Sequence, residues 1–120
     1  MLDNPRKLEA TDPFGRKWTA EFRWHQNAIS IRHCDSVDVK WELSADDGTA
    51  MDKVIALMHP SMIEVTKKLG REISDAWCIR LSRARLQSLI ETWEDAEKVI
   101  VTPTTAQIEE LARKVEKAPA

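Results

Sequence analysis

Strict alternation of apolar and polar residues in two segments is the feature that most constrains the fold of this chain. Apolar residues recur at every second position in 17–25 and in 37–44, and Trp18, Trp24 and Trp41 all fall on the apolar side. A period of two is typical of a β-strand with one face buried and the other in water. The alternation therefore predicts antiparallel strands whose buried face carries three indole rings.

The residues around these two segments complete a predicted antiparallel meander. Residues 25–28 predict a turn, and 29–34 predict a short middle strand. The run 53–58 leaves two interpretations open. Its length and its Val54–Ile55 pair favour a fourth strand, whereas the spacing of its apolar residues would also allow a short helix.

Three helices are predicted after the strands. Pro60 suits the first turn of a helix closed by Gly70, and Ser74 caps a longer helix that ends near Trp93. A final amphipathic helix follows the extended segment 99–101. The predicted fold class is therefore α+β: an antiparallel three- or four-stranded N-terminal meander packed on one face by three C-terminal helices.

Length and composition predict one compact domain. A chain of 120 residues, 42% hydrophobic and 32% charged, can bury a core without disulfides or a metal. The expected organisation is a flexible segment over 1–13, a single α+β domain over 14–116 and a disordered tail over 117–120.

No apolar run predicts a membrane span or a secretory signal, and Cys34 and Cys78 suggest no disulfide framework. The expected location is the cytoplasm.

The charge balance disfavours nucleic acid as a partner. Lys and Arg number 18 against 20 Asp and Glu, for a net charge of −2, so the large positive field needed for non-specific phosphate binding is missing. The basic stretch 67–85, with Arg80 and Arg83, leaves weak nucleic-acid binding as one alternative. A solvent-facing row of charges on a helix is the simpler interpretation.

The aromatic content is almost entirely indole, with five Trp, two Phe and no Tyr. Aromatic platforms that stack on nucleic-acid bases need cations beside the rings. Here the alternation places Lys17, Arg23 and Lys40 on the face opposite the sheet tryptophans. The three sheet tryptophans are therefore predicted to pack in the core.

The longest predicted helix carries two apolar edges. Its main stripe comprises Cys78, Ile79, Ser82, Leu86, Leu89, Ile90 and Trp93. A narrower edge of Trp77, Leu81 and Ala84 predicts a second contact, with a neighbouring helix or a subunit. The candidates for an interaction surface are Trp77, Leu81, Arg80 and Arg83. They motivate the leading hypothesis, a non-enzymatic cytoplasmic protein-interaction domain that self-associates as a homodimer.

An alternative function is a small-ligand-binding protein or small enzyme with a pocket between sheet and helices. Its candidate lining residues are His33, His59, Cys78 and Trp77. No spacing of His and Cys predicts a metal site, and no cofactor or catalytic residue is expected. A Cys78–His59 pair would be the nucleophilic arrangement, but Cys78 lies on the apolar stripe, which predicts a buried, inert thiol.

Overall fold

The computed structural model describes residues 6–28 and 36–117 of the chain. In these ranges the elements are, in chain order, β1 (Lys7–Thr11), β2 (Lys17–Ala28), β3 (Ser36–Ala45), β4 (Ala50–Met58), α1 (His59–Leu69), α2 (Asp75–Thr92), β5 (Ile100–Val101) and α3 (Thr105–Lys117). An N-terminal, mostly antiparallel sheet followed by helices confirms the predicted α+β class.

The strands form one sheet in the order β1-β2-β3-β4-β5. Neighbours from β1 to β4 are antiparallel, as predicted for a meander. β5 joins parallel to β4, with Val54 opposite Ile100, and helices α1 and α2 provide the crossover that a parallel pair requires. β1 and β5 thus extend the predicted meander at its two edges.

The turn predicted at 25–28 is wrong. These residues continue β2 and pair with β3 as far as Ala28 opposite Ser36. The predicted middle strand, 29–34, lies outside the described residues, and β2 pairs directly with β3. Polar residues such as those at 25–28 favour turns locally, but pairing with a neighbouring strand overrides that preference.

The structure differs from the predicted organisation near the N-terminus. Strand β1 lies within the segment 1–13 that was expected to be flexible, and Leu8 is buried in the core opposite Ala20 of β2. Leu8 and Ala10 alternate with polar residues over only five positions, which is a weak strand signal, but pairing with β2 supplies the hydrogen bonds of β1. At the other end Lys117 closes α3, and 118–120 lie outside the described residues.

The ambiguous run 53–58 is a strand, as its β-branched pair favoured. α1 follows without a loop and has Pro60 in its first turn. Backbone N–H groups in the first turn make no helical hydrogen bond, so the missing N–H of proline costs nothing there. Gly70 closes the helix in the left-handed conformation at φ 64°, which glycine adopts without steric cost. The predicted bounds of this helix are confirmed.

Side-chain and backbone caps set the ends of the other two helices. The Ser74 hydroxyl accepts a hydrogen bond from the Trp77 backbone N–H at 3.2 Å and begins α2, as predicted. Trp93 ends α2 in the left-handed conformation at φ 61°. Thr104 and Gln107 exchange side-chain-to-backbone hydrogen bonds of 2.9 and 3.1 Å before α3, which is a capping box.

The core lies between one face of the sheet and the helices. The side chains buried there from the strands include Trp18, Ala20, Val39, Trp41, Leu43, Ile55 and Leu57. The predicted stripe of α2 is buried against them from Cys78 to Ile90, and Trp93 is half-buried. The Trp41 indole N–H donates to the Ser82 hydroxyl at 3.0 Å, which joins β3 to α2.

Lys53 of β4 is a buried lysine that holds the segment leading to β5. Its ammonium donates to the backbone carbonyls of Ala96 and Lys98. Burial lowers the pKa of Lys53, and the charge of Glu97 opposes this shift. The ammonium satisfies two carbonyl groups, and this fixes the approach of the chain to the edge of the sheet.

Candidate functional site

A β-bulge in β2 determines which way Trp24 faces. Phe22 lies opposite Trp41 and Trp24 lies opposite Lys40, so Arg23 is an extra residue without a counterpart on β3. Side chains alternate between faces along a strand, so one extra residue reverses the face of the next. The prediction that Trp24 shares the buried face of Trp18 and Trp41 is therefore wrong: its side chain is 39% exposed.

Trp24 belongs to a row of residues that crosses the face of the sheet opposite the described helices. In register from β2 to β5, this open-face row consists of Trp24, Lys40, Val54 and Ile100. Residues opposite one another on paired strands share a face, so the four side chains are neighbours. Ile100 is 62% exposed and Val54 is half-buried. Three of the four residues in the row are apolar.

The charged residues around the open-face row are paired within the chain. Arg23 Nε lies 2.7 Å from a carboxylate oxygen of Glu42, and Lys40 Nζ lies 3.7 Å from Asp52. The hydrogen bond from Arg23, with its positive charge, lowers the pKa of Glu42. Arg23 also lies 3.7 Å from Glu21. The open face therefore carries both signs of charge, with two cations paired to three carboxylates.

Two of the predicted interaction-surface residues lie in the core. Trp77 and Leu81 are buried, and Ala84 packs partly buried against the same cluster. The Arg71 guanidinium stacks 4.9 Å from the centre of the Trp77 ring. The second apolar edge of α2 is thus covered by the chain itself, so Trp77 and Leu81 present no surface to a partner.

The other two predicted surface residues, Arg80 and Arg83, have different environments. Arg80 is exposed, whereas Arg83 Nε donates a 2.9 Å hydrogen bond to the backbone carbonyl of Lys7 on β1. Further cations of the basic stretch also contact groups of this chain: Lys68 pairs with Glu109, Arg71 with Glu116 and Arg85 with Asp95. The cations of this basic stretch therefore take part in several separate contacts within the chain.

In the part of the chain that the structure describes, no hydrogen bond joins Cys78 to His59, the predicted nucleophilic pair. His33 lies outside the described residues, and His59 begins α1 half-buried. Cys78 is buried, with its thiol donating to the Met62 sulfur at 3.8 Å. The Trp77 indole N–H is buried and has no hydrogen-bond partner among the described residues. The neighbour of the thiol is a thioether, which cannot act as a base.

Cys78 should be unreactive in the folded protein. Burial, together with the negative charge of Asp75, raises the pKa of this thiol from 9.0 to about 11. In a Cys34→Ser variant at pH 8, we expect Ellman's reagent to label folded Cys78 at least about 100-fold more slowly than the urea-unfolded chain, from thiolate population alone. Labelling of the folded protein at the unfolded rate would contradict the buried position.

A buried carboxylate near the N-terminus is the main polar feature that sequence reasoning missed. The Asp12 side chain accepts hydrogen bonds from the Trp18 indole N–H at 3.0 Å, from the backbone and side chain of Arg16 at 3.0 and 2.9 Å, and from the Phe14 backbone at 2.9 Å. Burial would raise the pKa of Asp12, but these hydrogen bonds lower it to about 2. A carboxyl group this acidic is a poor base, so Asp12 acts as an anchor.

The anchor also orders an aromatic cluster. The Arg16 guanidinium lies 5.0 Å from the centre of the Trp18 ring and 5.2 Å from that of Trp93. The two indole rings are 5.7 Å apart. The local signal for this arrangement was the turn sequence from Asp12 to Gly15, in which the glycine takes φ 90°. The prediction of a flexible segment over 1–13 left this turn out.

Within the described part of the chain, three or more His, Cys, Asp or Glu side chains nowhere cluster so as to hold a metal ion. Among the helices of the same residues, none combines the length and apolar character needed to cross a membrane.

Comparison with known proteins yields no match. This holds for protein-family models, for curated proteins and for solved structures. A function is therefore inferred from the geometry of this chain itself, chiefly from the open-face row.

Proposed function

We propose that this chain is a non-enzymatic protein-interaction domain that self-associates as a homodimer through the open face of its sheet. The observation that carries the proposal is the outward position of Trp24, in register with Val54 and Ile100. Aromatic residues are enriched in the centres of protein interfaces and often supply much of the binding energy. A tryptophan turned outward among aliphatic residues fits that role.

The charge pattern favours a second copy as the partner. Cations and carboxylates of the open face already neutralise one another, as in the Arg23–Glu42 and Lys40–Asp52 pairs. Two such faces can approach with little net repulsion. A polyanion such as nucleic acid finds no net positive field on this face. We place the domain in the cytoplasm, where a free thiol such as Cys78 stays reduced.

Association through the face is better supported than addition of a strand at a sheet edge. At the β1 edge, the side chain of Arg83 already occupies the Lys7 carbonyl. At the other edge, β5 has only two residues, and Pro103 follows two residues after Val101. Short edge strands, nearby prolines and occupied backbone groups all hinder strand addition.

Replacing Trp24 should weaken the homodimer. We expect the wild-type chain to sediment as a dimer at micromolar concentration, and Trp24→Thr to raise the dissociation constant at least about tenfold, as loss of an interface anchor does. Threonine retains β-propensity, so the strand is preserved. Sedimentation velocity over a concentration series measures the effect.

The matched control is Ile63→Thr. Ile63 is 44% exposed on α1, in the helical layer away from the open face, so this variant removes exposed apolar surface elsewhere. We expect its dissociation constant to equal that of the wild type. A wild-type monomer at about 100 μM, or equal weakening by both substitutions, would overturn the proposal.

A further inference from the structure

A polar depression lies between α2 and α3, in the layer of the molecule away from the open face. Its volume is about 190 Å³. The polar side chains that line it are those of Arg85, Ser88, Glu94, Gln107, Glu110 and Lys114. Pockets for drug-sized ligands measure about 300–1,000 Å³. The depression therefore suits a smaller molecule.

Arg85 is a buried lining residue with an unpaired donor. Its side chain is only 7% exposed, and Nη2 donates to Asp95 at 2.9 Å. Its Nε is buried and has no partner among the described residues. Asp95 also pairs with Lys98 at 3.2 Å, so its charge is shared. A buried guanidinium N–H without an acceptor is costly unless another group binds there, so Nε is the donor left for a ligand.

The remaining lining residues offer both donors and acceptors. The Gln107 side-chain oxygen accepts from the Thr104 backbone, so its amide NH₂ remains as a donor. Lys114 adds a second cation, and Glu94 and Glu110 add two carboxylates. The two charges of each sign cancel. A small zwitterion, which carries one positive and one negative group, matches this lining. A phosphate would instead be repelled by both carboxylates.

We propose that this depression binds a small zwitterion with α-amino-carboxylate chemistry. Arg85 and Lys114 receive the carboxylate, since a planar guanidinium is suited to bidentate binding of that group. Glu94 and Glu110 receive the ammonium. The site is independent of self-association, because its residues belong to α2, α3 and the loop after α2.

Titration of the ¹⁵N-labelled chain tests this site through the side-chain Nε–H signal of Arg85, assigned by its disappearance in Arg85→Lys. We expect L-alanine to shift this signal saturably with a dissociation constant of about 1–10 mM. Acetate should bind at least about tenfold more weakly, and ethylamine should give no saturable shift, because each lacks one charge. Trp24→Thr should bind L-alanine as the wild type does.

Two substitutions identify the binding groups. Lys114→Gln removes an exposed lining charge and should weaken L-alanine binding about tenfold. The control Arg113→Lys changes a neighbouring exposed residue, paired with Glu109, and should leave the affinity unchanged. Should Arg85→Lys fail to fold, the backbone amide signals of the lining residues, assigned from triple-resonance spectra, report the Lys114→Gln comparison. The absence of a saturable shift at about 50 mM L-alanine, equal binding of acetate, or equal effects of the two substitutions would overturn the site.

Discussion

A chain lacking Arg23 should fold like the wild type, whereas a chain lacking Glu21, from the same strand, should not fold. Arg23 is the extra residue of the bulge, between the pairs Phe22–Trp41 and Trp24–Lys40. Its removal closes β2 into a regular ladder and leaves both pairs unchanged. Among the described residues, the ion pairs lost with Arg23 are exposed ones to Glu21 and Glu42, which contribute little to stability.

Removal of Glu21 has the opposite consequence. If the bulge absorbs the deletion, Phe22 moves to the open face and Arg23 takes its half-buried place opposite Trp41. This loses the edge-to-face contact of Phe22 with Trp41 and puts a charge against the core, at a cost of several kcal/mol out of a total stability of about 5–15 kcal/mol for a domain. If the first half of β2 shifts instead, Trp18 and Ala20 leave the core face, which is equally unfavourable.

Circular dichroism during thermal unfolding distinguishes the two deletions. We expect a cooperative transition for the chain lacking Arg23, within about 5 °C of the wild type, and no cooperative transition for the chain lacking Glu21. The second deletion is the matched control, because both shorten the same strand by one residue. Loss of folding in both chains would show that the bulge is not a separable insertion.

Replacing Asp12 with Asn should remove part of the acid sensitivity of the fold. The pKa of Asp12 is lowered from 3.8 to about 2 in the folded protein, so as the pH falls the unfolded chain takes up this proton first. The stability contributed by the ionised carboxylate is therefore complete above about pH 4 and is lost as the pH falls towards 2. Asparagine does not titrate, so its contribution stays constant over this interval.

Thermal unfolding at several pH values measures this difference. At pH 7 we expect the melting temperature of Asp12→Asn to fall by roughly 5–10 °C, because charged hydrogen bonds to Trp18 and Arg16 are lost. Between pH 4 and 2 its stability should decline less steeply than that of the wild type. The control Glu42→Gln removes an exposed, paired carboxylate and should change the melting temperature less. Parallel stability profiles for wild type and Asp12→Asn would contradict the anchoring role.

The bounds of the helices were predictable because the signals are local. Gly70 ends α1 and Ser74 begins α2 through interactions made within a few residues of each position. Pro60 acts in the same way at the start of α1. Such interactions do not depend on the rest of the fold, so a single sequence contains the information needed to place them.

The outward position of Trp24, on which the proposed interface depends, was not predictable in this way. The alternation of 17–25 continues unbroken through Arg23, and nothing in β2 alone marks an extra residue. The bulge is defined by two residues facing one on β3, so it exists only in the pairing of two strands. The pattern therefore placed Trp24 in the core, and the register of the sheet turned it outward.

By itself, the sequence determined the α+β class, the helix bounds and the burial of Trp18 and Trp41, because strand periodicity and helix caps are local. The tertiary structure alone decided that Trp77 and Leu81 are covered by this chain, and that Asp12 gathers four donors in a segment expected to be flexible. An apolar edge shows that a residue will be covered, but only the packing of distant elements determines what covers it.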